Sequence, residues 1–232
     1  LMPEMTAMTR RIYDNLRKAM AYILAIHVPV AGIALLPILL GAPLVLTPIL
    51  IALLELIIDP TCSIVLEAEP EEPDLMRRPP RHPSRRLLSG PLVAWSLAQG
   101  LLALAVAAAV FLGARRAGIS TEHTRSLTFL TIVCVIFAIL LSSRSFGSSL
   151  RAPMLRPSRA LWVSGLLVII VVTILLATPG LRHFLGLAAL QLHQVALCLL
   201  AGTLLVVVLQ LGKRLWWQHA SNGSGMAEAG EP

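Results

Sequence analysis

LLELIIDPTCS, residues 53–63, is the stretch on which the fold turns. It sets two carboxylates, Glu55 and Asp59, inside an apolar block covering 44–66. A block of that length matches the roughly 20 helical residues that a bilayer requires. Five similar blocks flank it, at 19–40, 91–113, 126–142, 161–179 and 194–212. Lipid offers no partners to open backbone groups, so each block must be a helix. The expectation is an all-α, polytopic membrane bundle of six transmembrane helices, of which the second carries two carboxylates and the fourth is short. Composition agrees. Of 232 residues, 56% are hydrophobic and 13% charged, with a mean hydropathy of +0.80. A soluble domain is nearer 45–50% apolar.

The net charge is +7. It sits in the strips between blocks, where it sets orientation, so nucleic-acid binding is not expected. Fifteen of the nineteen Lys and Arg fall on the side of the chain termini and of the 67–90 loop. The opposite side holds Arg115, Arg116, Arg125 and Arg182. This bias places both termini in the cytosol. Residues 1–18 form a basic cytosolic lead-in without the apolar core of a cleavable leader. Residues 19–214 form the membrane domain, and 215–232 a Gly/Ser/Ala-rich tail expected to be disordered. Trp162, Trp216 and Trp217 stand at span ends, as in an aromatic belt. Cys62, Cys134 and Cys198 lie in apolar blocks without metal-binding spacing and read as small hydrophobes. The loop passes from acidic (Glu67 to Asp74) to basic and proline-rich (Arg77 to Arg86). It reads as a solvated connector or a docking strip for a cytosolic domain.

A carboxylate at bilayer depth costs at least ~2.5–3.5 kcal/mol. Glu55 and Asp59 are four residues apart, so they share a helix face and repel unless a cation or proton sits between them. Pro60 deprives the Leu56 carbonyl of its helical donor, which predicts an unwound, oxygen-rich nest beside the two acids. Hard cations such as Ca²⁺ or Mg²⁺ take oxygen ligands of this kind. His27 lies mid-span in YILAIHVPVAG, two residues before Pro29. With a turn as short as Gly41-Ala42-Pro43, spans one and two would be antiparallel neighbours, letting His27 face Glu55 or Asp59. An interhelical hydrogen bond is the plainer role for such a histidine. In span three, Ala98, Gly100, Ala103, Ala105 and Ala107 to Ala109 suggest a close helix contact.

Four pieces in order resemble the C-terminal membrane region of P-type cation-transporting ATPases of the calcium-pump type. They are RRIYDNLRKAMAYIL (10–24), LELIIDPTCS (54–63), EPEEPDLMRRPPR (69–81) and SSRS (142–145). The resemblance implies that the six spans are the fifth to tenth helices of such a pump. It implies that Asp59 and Glu55 are cation ligands and that His27 occupies a ligand position. Val30 stands where those pumps carry a carboxylate, and Val133 to Ile139 lack a polar ligand, so the resemblance implies one bound ion. The transported cation would be Ca²⁺ first, or Mg²⁺ or Mn²⁺. No D-K-T-G-T or T-G-E-S segment occurs in these 232 residues. ATP and its Mg²⁺ would therefore act only through actuator, phosphorylation and nucleotide domains joined in cis or in trans. The resemblance thus implies a piece or split subunit of a longer pump, lodged in a lipid bilayer, with a bacterial plasma membrane as the expected location. A stand-alone six-span carrier, a non-catalytic membrane subunit and an inactive remnant are the competing readings.

Overall fold

The computed structural model describes residues 2–66, 88–144 and 159–227. The expectations for the body of the 67–90 loop, for Ser145 and for the last five residues lie outside these. So do those resting on the side chains of Asp59, Cys62, Trp216 and Trp217. The described residues are helical and contain no strand. The elements are α1 (Met2–Leu39), α2 (Pro48–Thr61), a π-helical turn (Cys62–Leu66), α3 (Gly90–Arg116), α4 (Thr121–Ser143), α5 (Arg159–Ala177), the short α6 (Pro179–Leu185) and α7 (Leu192–Ala227).

Five helices, α1, α3, α4, α5 and α7, are long and apolar enough to cross a membrane. The expected second span is instead 14 residues of α-helix followed by five of π-helix. α1 has 38 residues, more than a bilayer requires, and takes in most of the basic lead-in. Similarly, α7 extends to Ala227, into the segment whose composition suggested a disordered tail.

The shortest of the six apolar blocks, the fourth, is the centre of the bundle. In α4, 78% of the apolar window is buried, against 22% in α5. Its first turn is polar (TEHTRS), which hid its length, and Ser120 caps it by accepting the His123 N–H at 3.4 Å. α3 and α7 pack against it, and α1 packs chiefly on α3.

Small residues permit the closest approaches. The buried stripe of α3 is Ser96, Gln99, Gly100, Ala103, Ala107, Phe111 and Ala114, while Ala105 and Ala109 face outward. A methyl group on Gly100 would lie 2.5 Å from the Ala25 carbonyl oxygen and 2.7 Å from Val28 Cβ. That carbonyl is the one Pro29 leaves without a helical donor, so α3 packs where the α1 ladder is open. On α7, a methyl at Gly202 would come within 2.9 Å of Cys134 Cβ on α4.

The tight hairpin between the first two spans is not formed. α1 ends at Leu39 and the chain turns at Gly41, whose φ of +59° suits glycine, with the Ala42 N–H bonded back to the Pro37 carbonyl at 2.8 Å. The chain then runs on to Thr47 with Val45 and Leu46 buried before α2 starts. That longer connector spreads the two helices, and α1 meets the second span mainly at the π-helical turn.

Candidate cation site on the second span

Thr47 and Pro48 begin α2. The Ile51 N–H bonds the Thr47 carbonyl at 3.0 Å, and the Leu50 N–H reaches its hydroxyl at 3.4 Å. Proline at the first helical position gives up a donor the helix start does not need. Leu50, Leu54, Ile57 and Ile58 form the buried face. Glu55 flanks that face and is half-buried, about two turns into the helix. It has no hydrogen bond or ion pair with any described residue. Asp59 follows four residues later on the same helix, directly before Pro60.

The helix does not unwind at Pro60 as expected. It continues through Thr61 and then widens into the π-helical turn, with Val65 and Leu66 fully buried. A π turn shifts the bonding pattern by one residue and so absorbs a missing donor without opening the chain. Such turns recur at functional sites. The Leu56 carbonyl still lacks its regular donor, because proline has none. Among the described side chains of this span, the Glu55 carboxylate is the one acidic group.

His27 is not joined to this group by any hydrogen bond or ion pair among the described residues. It lies on the exposed side of α1, and its Nδ1–H donates to the Ile23 carbonyl at 2.7 Å. The imidazole closes on its own helix because α1 turns its buried face toward α3 and α4. Val30, where the resemblance expects a carboxylate, is buried. Among the described residues no three His, Cys, Asp or Glu side chains cluster.

Sequence reasoning missed a second polar feature. Lys18, Arg144 and Lys213 read as loop anchors, yet all three are buried, Lys18 on α1, Arg144 just past the end of α4 and Lys213 on α7. The Lys213 ammonium donates to the Ser142 carbonyl at 2.9 Å, supplying the open C-terminal end of α4. Lys213→Met keeps the apolar stem and removes this donor. The expected loss is about 1–3 kcal/mol, read as a lower midpoint of SDS-induced unfolding in mixed micelles. An unchanged midpoint would show the bond to be dispensable. Among the described residues, Gln99 Oε1, Ser142 Oγ and Gln210 Nε2 are buried without hydrogen-bond partners.

The fold is that of an integral, polytopic membrane helical bundle. Residues 43–215 match the family described as Cation transporting ATPase, C-terminus, and the chain belongs to that family, as its C-terminal membrane region. Over 125 residues it is 31% identical to the calcium-transporting ATPase of Bacillus subtilis, covering 53% of this chain and 14% of that protein. The sodium/potassium-transporting ATPase subunit alpha of Hydra vulgaris is 39% identical over 103 residues, 44% of this chain and 10% of the relative. The human potassium-transporting ATPase alpha chain 2 is 39% identical over 88 residues, 38% and 8% of the respective chains. The chain thus aligns with a small part of each relative's length. α2 and its carboxylates fall inside the family match, while His27 lies before it.

Proposed function

We propose that this chain forms the cation-translocating membrane part of an ATP-driven P-type pump, with Glu55 and Asp59 as the carboxylate ligands of one divalent ion. The observation that carries the reading is Glu55, a half-buried acid with no polar partner among the described residues, one helical turn before Asp59. Two negative charges on one helical face are balanced by a single divalent ion, whereas a monovalent ion leaves one charge over. Oxygen ligands suit Ca²⁺ first and Mg²⁺ or Mn²⁺ next. The named relatives transport calcium, sodium and potassium, or potassium, so the preference for a divalent ion rests on the charge argument.

In this reading the ion exchanges its water shell for carboxylate and carbonyl oxygens, and its release follows when the second span moves. Transport needs that site to differ in affinity between two states, since a ligand shifts an equilibrium only by its differential affinity. ATP and its Mg²⁺ act through the actuator, phosphorylation and nucleotide domains of the rest of the pump. Both chain termini and the 67–90 loop would face those domains from the cytosol.

The test is a titration of the chain in lipid nanodiscs with Ca²⁺, Mg²⁺, Mn²⁺, Na⁺ and K⁺. One saturable divalent ion per chain, undisturbed by excess Na⁺ or K⁺, is the expected result. Saturable binding of a monovalent ion in preference to all three divalent ones would overturn the divalent assignment.

A further inference from the structure

We infer that Arg125 is a positioning residue that pins the start of the carboxylate-bearing span to the body of the bundle. The inference rests on reading Glu55 and Asp59 as ion ligands. Arg125 lies in the second turn of α4, at the end of that helix opposite Arg144 and Lys213. Its guanidinium reaches two connectors far apart in sequence. One terminal nitrogen donates to the Gly186 carbonyl at 2.8 Å, between α6 and α7, and the other to the Leu44 carbonyl at 3.0 Å, between α1 and α2. The rigid plane of the guanidinium holds its two terminal nitrogens apart so that each serves its own carbonyl, whereas an ammonium offers its donors from a single nitrogen on a flexible stem.

Three features show a grip built into the fold. Gly186 has a φ of +63°, and a Cβ there would occupy the place of the Arg125 terminal nitrogen. The same loop is held again by the adjacent Ser126, whose hydroxyl accepts from the Ala188 N–H at 2.8 Å and lies 3.0 Å from the Ala188 carbonyl. Arg125 itself makes no ion pair among the described residues, and its Nε–H has no acceptor. Its polar contacts are spent on the two carbonyls.

The α6–α7 loop is therefore anchored to α4 twice over, and the Arg125 arm to Leu44 extends that anchor to the second span. Leu44 stands three residues before Thr47, which caps α2, and Val45 and Leu46 beside it are buried. Otherwise α2 is held by its apolar face, Leu50, Leu54, Ile57 and Ile58, with α5 and α4 as the neighbouring helices. A shift of the Leu44 connector is thus transmitted along a short, well-capped helix to Glu55. Pinning that connector sets where the carboxylates stand, and freeing it is a route by which the second span moves.

The experiment uses the full chain in nanodiscs with Cys62, Cys134 and Cys198 replaced by alanine and Val45→Cys added. Val45 is only 1% exposed, so its thiol reacts with a maleimide only when the connector lifts. Arg125→Gln, which can reach one carbonyl at most, should speed this labelling about tenfold. It should also weaken Ca²⁺ binding by about tenfold, within the usual range of coupling between sites. Arg125→Lys, which keeps the charge and one bond, should fall between. Arg182→Gln is the control: this α6 arginine makes no side-chain hydrogen bond among the described residues and its buried Nε–H has no partner there, and both readouts should stay at wild type. Equal labelling for Arg125→Gln, Arg125→Lys and wild type overturns the inference, whether or not Ca²⁺ binds. Faster labelling with unchanged Ca²⁺ affinity overturns the positioning role. Faster labelling in a chain whose parent takes no Ca²⁺ supports the pin and removes the ion assignment.

Discussion

Replacing both intramembrane acids, Glu55→Gln with Asp59→Asn, is expected to abolish divalent-ion binding, by roughly a hundredfold for each carboxylate removed. The amides keep the shape and the hydrogen-bonding oxygen but discard the charge. The same change should raise the thermal stability of the ion-free chain, because an uncompensated carboxylate at bilayer depth is costly and a neutral amide less so. Function and stability thus move in opposite directions, as they do where a site holds strained charge for its task. A purely structural role for the two acids predicts that both readouts fall together. Ca²⁺ titration and thermal unfolding of the same preparations separate the cases. Unaltered ion affinity in the double variant would remove the site from this span.

The second large effect is expected at Gly100. Leucine there must place its first carbon 2.5 Å from the Ala25 oxygen and 2.7 Å from Val28 Cβ. Neither neighbour yields easily: one is backbone, and the other is the branch point of a β-branched side chain. The helices must separate, and the most extensive helix contact of the bundle, α1 on α3, is lost with them. Overpacking alone costs typically 1–3 kcal/mol. Spreading along the interface should bring the total to the upper end of that range, or prevent assembly. Between membrane helices packing is the main attraction, since lipid tails are as apolar as leucine. Gly113→Leu on the same helix is the control, because nothing lies within 4 Å of a Cβ there. The comparison is made in SDS-induced unfolding, where Gly100→Leu should shift the midpoint strongly and Gly113→Leu hardly at all. Equal shifts would show that helix propensity, and not the close approach, was being measured.

The two variants also mark different depths of legibility. Glu55 and Asp59 stand out in the bare sequence, because a charge in an apolar block violates the composition of everything around it. Gly100 was visible only as one small residue in a run of them. Which of Gly100, Ala105 and Ala109 faced a neighbour was decided by α1, whose open Ala25 carbonyl lies against Gly100. His27 is the opposite case. It was singled out as a possible partner because a mid-span histidine is rare, yet its Nδ1–H is spent on Ile23 of its own helix. Lys18, Arg144 and Lys213 were read as loop charges because charge counting registers their side of the membrane and not their burial.

By itself the sequence determined that this is a bundle of membrane helices, where the apolar blocks lie, and that one span carries two acids a turn apart. Those follow from the length of hydrocarbon to be crossed and the cost of charge within it, which act on each segment separately. The tertiary structure alone decided that α4 is central, that α1 and α2 are spread apart, that His27 turns outward and that Arg125 grips two connectors. In lipid every helix is apolar all round, so hydropathy carries no sign of which face meets which neighbour. That choice falls to the fit of small residues and to a few hydrogen bonds between segments distant in the chain.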